Sequence, residues 1–299
     1  MDDNIFRGLI TALITPFKNN KIDLDALERI LNIQIQAKVD AVILAGTTGE
    51  GTSLNTDEYC ELINNALEIT SNRIPIIASC SSSNTQFIID LLSRFNNTAL
   101  DGVMCSVPPY VKPTQNGIFE HFKAIHDNIT MPMMLYSPLS RTSVDINNDT
   151  LCRLMKLPRI LALKDSTGDV TRPLKLYDQA KKAQFNLLSG DDILSIAYRS
   201  HGGCGCVSVA SNIAPNLCKQ VQSHCDNDQF NLALSINQKL APLYEALFLE
   251  SNPIVIKYAM HFAGLCENEL RLPLTVVNYH TKQRIDPIIR DLKTEYTNM

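Results

Sequence analysis

Through the first two thirds of the chain, short apolar runs alternate with longer segments whose apolar positions recur every three to four residues. The runs lie at 9–17, 41–46, 75–80, 102–107, 132–137, 160–166, 185–190 and 205–211. Most are apolar at consecutive positions, the pattern of parallel strands covered on both faces. Between the first two, Leu24, Leu27, Leu31 and Ile35 share one helical face behind Asp23, a residue suited to cap a helix. Leu62, Ala66 and Ile69 repeat the pattern behind Asn55, with Glu58 spaced to close a capping box. Segments 84–95, 117–125 and 148–157 continue the alternation. Eight such units in succession predict an α/β protein, a (β/α)8 TIM barrel rather than an open sheet.

The last third changes character. Segments 229–248, 252–264 and 284–296 read as helices with no strand between them. The expected division is a barrel carrying the catalytic site over 1–224 and a C-terminal helical region over 225–299 packed on it. No Gly/Ser-rich linker, repeat or low-complexity tract separates the two.

Composition narrows the classes. The chain has 299 residues, 45% hydrophobic and 19% charged, enough for one large core. A net charge of -4, scattered along the chain, gives no electrostatic case for nucleic acid or a membrane surface. The nine cysteines are odd in number and form no CxxC pair, which suits a reduced, cytoplasmic chain better than a disulfide framework. Cys204 and Cys206 flank Gly205, but only His201 stands near them, so no metal site is expected. The opening MDDNIFRGLI lacks the charged region and apolar stretch of a signal peptide, and no apolar run approaches a membrane span.

In a barrel of this kind, functional groups gather at the C-terminal ends of the strands and in the loops beyond. Those positions hold Thr47, Thr48, Tyr110, Tyr136, Arg141, Lys164 and Gly190. Lys164 follows Ile160-Leu161-Ala162-Leu163, so the strand would carry it into an apolar surround. Such a surround favours a neutral amine over an ammonium, and the neutral amine is the form that attacks a ketone. The alternative is a lysine that snorkels to solvent or pairs with Asp165. Gly46-Thr47-Thr48-Gly49-Glu50 offers close backbone N–H groups and two hydroxyls, a cradle for a carboxylate, but lacks the Gly-Lys-Ser/Thr of a P-loop.

Tyr136 ends an apolar strand, where a phenol serves as a proton relay or simply packs. Arg141, in the loop beyond, could bind a carboxylate with its guanidinium fork or remain solvated. Tyr110 sits on a proline-stiffened loop, as a site residue or an interface anchor. The loop after the seventh strand reads Ser189-Gly190-Asp191-Asp192, and two carboxylates there would repel a phosphate. The expected substrate is a carboxylate without phosphate.

These residues sit in longer motifs: GTTGE (46–50), PYVKPTQNG (109–117), LYSPLSRT (135–142), LALKDSTGD (161–169), LLSGDD (187–192) and ESNPIVIKYA (250–259). On them the chain resembles the dihydrodipicolinate synthase and N-acetylneuraminate lyase family, from Phe6-Arg7-Gly8 to Leu270-Arg271-Leu272-Pro273. The resemblance implies a (β/α)8 barrel with a C-terminal helical region, and a lyase that works through a lysine Schiff base without metal or cofactor. Lys164 would form an imine with pyruvate. Tyr136 would relay protons, linked through Thr47 to Tyr110 of a neighbouring subunit. Thr48 would hold the pyruvate carboxylate and Arg141 that of a second substrate. Val207 matches a position whose main-chain carbonyl faces the lysine, and Gly190 is counted with the substrate-binding residues.

The resemblance further implies condensation of pyruvate with L-aspartate 4-semialdehyde, in lysine and diaminopimelate biosynthesis, by a homotetramer built from two tight dimers. The alternative within the family is cleavage of N-acetylneuraminate or aldol chemistry on another 2-oxo acid. Thr47 and the Ser-Arg-Thr element around Arg141 favour the synthase branch, since the sugar-acid lyases usually have serine at the first position and lack the second. Lysine-inhibited members commonly carry asparagine, glutamate and tyrosine at the positions of Ser83, Phe87 and Pro109, and histidine at those of Thr56 or Tyr59. Their absence here predicts a chain insensitive to L-lysine. Pro109 also removes an aromatic group beside Tyr110, so subunit packing there is expected to differ.

Overall fold

The computed structural model describes residues 4–293. Eight parallel strands close into a barrel: β1 (Gly8–Ala12), β2 (Ala41–Leu44), β3 (Ile76–Cys80), β4 (Gly102–Ser106), β5 (Met133–Ser137), β6 (Ile160–Asp165), β7 (Asn186–Ser189) and β8 (Gly205–Ser208). Each pairs with its neighbours in sequence, and β8 returns to β1 with Ile10 beside Val207. All eight runs expected from the sequence are strands. The first was read too long. Leu13, Ile14 and Phe17 are fully buried, yet the strand ends at Ala12, and Phe17–Lys18 pairs instead with Lys21–Ile22 as a short ribbon. Burial continued past the point where the ladder stopped, and apolar sequence reports burial alone.

The helices that follow the strands are α1 (Leu24–Gln36), α2 (Thr56–Thr70), α3 (Thr85–Leu92), α4 (Gln115–Asn128), α5 (Leu139–Thr142), α6 (Asn148–Leu154), α7 (Arg172–Lys175), α8 (Tyr177–Ala183), α9 (Ser195–Ser200) and α10 (Pro215–Asp226). Asp23 caps α1 by accepting the Ala26 N–H at 3.0 Å. Asn55 and Glu58 exchange the reciprocal bonds of a capping box at the start of α2, as their spacing predicts.

The C-terminal region forms α11 (Phe230–Leu247), α12 (Ile254–Phe262) and α13 (Tyr279–Asp291). Thr294, Glu295 and Tyr296, the end of the helix expected at 284–296, lie outside the described residues, as do the first three residues of the chain. No helix among the described residues is long and apolar enough to cross a membrane.

Two cores result. The larger lies between strands and helices; the smaller fills the barrel with Phe6, Ile10, Ile43, Ile77, Met104, Met134, Ala162, Leu188, Val207 and their neighbours. Side chains alternate across a strand, so one step of two from each inward residue names the next layer. From Ile77 it reaches Ser79; from Met104, Ser106; from Met134, Tyr136; from Ala162, Lys164; from Leu188, Gly190. The interior is apolar for most of its depth. At the C-terminal end it becomes hydroxyls, one phenol and one amine.

Candidate active site

Lys164 and Tyr136 face each other in register across β6 and β5. The lysine Nζ lies 4.4 Å from the centre of the tyrosine ring, and both side chains are buried. The apolar surround expected for the lysine is only partly found. Asp191 and Asp192, in the loop after β7, lie close enough for the Lys164 charge to pull on their titration. Burial outweighs that pull and raises the Asp191 carboxyl from its ordinary value of 3.8 to about 6.

Asp192 is turned inward and accepts the N–H groups of Val209 and Ala210 at 2.9 and 3.1 Å. The two neighbouring acids therefore differ: both lie near the amine, but Asp192 is spent on holding the loop beyond β8.

Asp165 does not pair with Lys164. Adjacent strand residues point to opposite sides, and Asp165 leaves the barrel interior for Thr167 (2.6 Å), Tyr198 (3.2 Å) and the Arg172 guanidinium (3.5 Å). Arg172 in turn binds Asp145, which accepts the Ser137 hydroxyl at 2.7 Å. This chain of charges, buried at Asp165 and Arg172 and half-buried at Asp145, ties the ends of β5 and β6 together behind the two reacting side chains. Gly190 packs against the same corner. Its N–H donates to the Asp165 carbonyl at 2.7 Å, and a Cβ there would fall 1.9 Å from the Ser166 hydroxyl. The residue after β7 can lie this close to Asp165 and Ser166 because it has no side chain. Val207 is fully buried in the interior layer of β8.

The Gly46–Gly51 segment turns back on itself just beyond β2. The Gly51 N–H donates to the Gly46 carbonyl at 3.0 Å and the Glu50 N–H to the Thr47 carbonyl at 3.2 Å. A Cβ on Gly51 would fall 1.7 Å from the Ala45 carbonyl oxygen, so the turn tolerates no side chain there. Glu50, at φ 50, drives its carboxylate into the protein, where it forms an ion pair with Lys257 of α12 and accepts the Arg271 N–H at 2.9 Å. Lys257 and Arg271 both lie over the ring of Phe17, at 4.1 and 4.4 Å, and Arg271 forks onto Glu58. Thus the C-terminal region braces the turn from beneath.

Asn252 does the same from the side. Its amide Nδ2 donates to the Thr48 hydroxyl at 3.0 Å, and its main-chain carbonyl accepts a hydrogen bond from Arg141 at 3.1 Å. Arg141 is itself exposed, on the short α5. Asn252, Glu50, Lys257 and Arg271 were not singled out from the sequence. Lys257 left a signal, standing among seven consecutive buried residues of α12.

A cavity of about 450 Å³ opens onto this layer, with Thr47, Tyr136, Arg141, Asn252 and Leu272 among its walls. Lys164, Thr48, Gly190 and Val207 do not line it; Tyr136, on its wall, is the residue in contact with the amine. Tyr110 stands apart. It is 93% exposed, at φ 70, on a loop whose next residue, Val111, is also exposed. No group of three His, Cys, Asp or Glu side chains able to hold a metal occurs among the described residues.

A small cavity at the strand ends, a shielded amine, a phenol in contact with it and a separate guanidinium together suit covalent capture of a keto acid and reaction with a second, anionic substrate. Comparison with known proteins agrees. Residues 5–292 match the model of the dihydrodipicolinate synthetase family. The 4-hydroxy-tetrahydrodipicolinate synthase of Rickettsia bellii is 53% identical over 290 residues, covering 97% of this chain and 98% of that protein. The crystal structure of dihydrodipicolinate synthase from Aquifex aeolicus superposes with a TM-score of 0.94 at 33% identity, over 98% of this chain and 100% of that one. That of the Acinetobacter baumannii dihydrodipicolinate synthase complexed with pyruvate gives 0.92 at 34%, over 96% and 98%.

Proposed function

The chain belongs to the dihydrodipicolinate synthetase family, and from that membership we propose how its residues divide the work. The activity is that of a 4-hydroxy-tetrahydrodipicolinate synthase, a Schiff-base lyase of lysine biosynthesis. The keto acid is pyruvate, the ligand of the Acinetobacter baumannii structure. The observation that carries the mechanism is the contact between the Lys164 amine and the Tyr136 ring at the C-terminal end of the barrel.

Neutral Lys164 attacks the pyruvate ketone, and water leaves as the protonated imine forms. The imine withdraws electrons from the methyl carbon, which releases a proton to give the enamine. That carbon attacks the aldehyde of L-aspartate 4-semialdehyde, whose oxygen takes up a proton to become the hydroxyl. The amino group of the adduct then adds to the imine carbon and expels Lys164, closing the six-membered ring. Tyr136 carries protons at each stage, with Thr47 beside it on the cavity wall. Thr48 holds the pyruvate carboxylate, and Arg141, exposed at the cavity mouth, receives the carboxylate of the aldehyde. Gly190 and the Val207 carbonyl shape the floor beside the imine.

Tyr110 completes the relay in a neighbouring subunit. Its exposure in the single chain, together with that of Val111 and Leu272, is what such an exchange requires. The working form is accordingly a homo-oligomer, a tetramer of two tight dimers. No disulfide joins the cysteines of the described residues, which fits a cytoplasmic enzyme.

Borohydride reduction with pyruvate, followed by peptide mass analysis, tests the proposal. One adduct on Lys164 is expected; an adduct elsewhere, or none, overturns it. Condensation with aspartate semialdehyde, measured beside cleavage of N-acetylneuraminate, separates the synthase from the sugar-acid lyase.

A further inference from the structure

We infer that Asn252 is a positioning residue that serves both carboxylate sites at once, its side chain setting the hydroxyl of Thr48 and its main chain setting the guanidinium of Arg141. A threonine hydroxyl has one hydrogen and two lone pairs. The Asn252 amide donates to Thr48 Oγ1 at 3.0 Å, so one lone pair is occupied and the hydroxyl hydrogen is left for another acceptor. Thr48 is buried, and Asn252 is 8% exposed and lines the cavity. An incoming carboxylate supplies such an acceptor, and charged acceptors reward such a donor most. Without the amide, the hydroxyl is free to rotate toward a carbonyl of its own turn.

The second bond runs through the backbone. Arg141 is an exposed residue on a helix of four residues, and its anchor is the Asn252 carbonyl at 3.1 Å. That carbonyl survives any substitution of the side chain. The two functions of Asn252 are therefore separable, which a general structural role would not be.

This inference rests on the pyruvate-imine reading, so the experiment measures both. Asn252→Leu removes the amide at similar volume. Asn252→Asp keeps the shape but presents an acceptor, which takes the Thr48 hydrogen and places a negative charge beside the keto-acid carboxylate. Half-saturation of borohydride trapping by pyruvate and the KM for aspartate semialdehyde are measured for each, together with Thr48→Val and the double Thr48→Val/Asn252→Leu.

The pyruvate requirement is expected to rise roughly tenfold in Asn252→Leu, the scale of one hydrogen bond to a charged group, and further in Asn252→Asp. The KM for the semialdehyde should stay within a factor of about two, the scale of a contact left unchanged. The double variant should match Thr48→Val alone. A parallel rise in both substrate requirements for both variants, or multiplicative losses in the double variant, overturns the inference. Failure of the unaltered enzyme to trap pyruvate on Lys164 would overturn the imine reading and this inference with it.

Discussion

Glu50 and Lys257 form an ion pair in which the two side chains are 1% and 0% exposed, 207 residues apart in sequence. Burial alone pushes the Lys257 ammonium toward deprotonation, and Glu50 opposes that. The pair fastens the turn that carries Thr47 and Thr48 onto α12. Lys257→Met leaves a buried carboxylate without its cation and should cost about 3–5 kcal/mol. Glu50→Gln/Lys257→Met removes both charges while keeping an acceptor for the Arg271 N–H, and should be less destabilised than Lys257→Met. Denaturant unfolding of the unaltered protein and the two variants measures this, and a double variant at least as unstable as Lys257→Met would refute it.

Tyr136→Phe keeps the ring against Lys164 and removes only the hydroxyl. The expected loss in kcat is about 10²- to 10⁴-fold, the range of a lost acid–base group, with pyruvate still trapped on Lys164 given time. Tyr110→Phe should lower kcat as well, although Tyr110 is exposed and does not line the cavity beside Tyr136. Its effect should disappear from comparisons made at concentrations where the unaltered enzyme has dissociated and lost activity.

Asp191 gives a pH signature. Its carboxyl titrates at about 6 in the folded chain, against about 3.9 when unfolded. Between those values the native state binds more protons than the unfolded one, so this group's contribution to stability falls as pH rises from about 4 to about 6 and is constant above. The two-unit difference corresponds to at most about 3 kcal/mol. Asp191→Asn should therefore gain on the unaltered protein across that window. Unfolding free energies taken at several pH values, showing no relative gain, would rule this out.

L-lysine should not inhibit. Phe87, Pro109, Thr56 and Tyr59 all line the cavity region next to the active site, and its one carboxylate among the described residues, Glu50, is already paired with Lys257. No unpaired carboxylate remains on that lining for an effector's ammonium. Initial rates at several concentrations of L-lysine, up to roughly tens of millimolar for so weak a partner, should stay flat, and a saturating inhibition curve would contradict the prediction.

The barrel was legible because its strands are buried on both faces, so each appears as an unbroken apolar run, and because α1 and α2 carry their caps in the sequence. Lys164 and Tyr136 were legible for a related reason: a polar residue ending an apolar strand can only be at the rim. Where burial and strand pairing part company, as at Leu13 to Phe17, the sequence misled. The braces were hidden. Asn252 meets Thr48 across 204 positions and Arg271 meets Glu58 across 213, and no local pattern encodes such a meeting. The network of Asp165, Arg172 and Asp145 was hidden too, since it joins the end of β6 to the start of α7 and to the loop before α6, which no local pattern brings together.

The dependence of the turn after β2 on Asn252, Lys257 and Arg271 bears on how the enzyme comes into being. A ribosome delivers the chain from its N-terminus, so all eight strands and Lys164 emerge before any of these three residues. A nascent barrel would own its nucleophile while the cradle for the keto acid still lacked support. Productive capture of pyruvate should therefore begin only as the final helices dock.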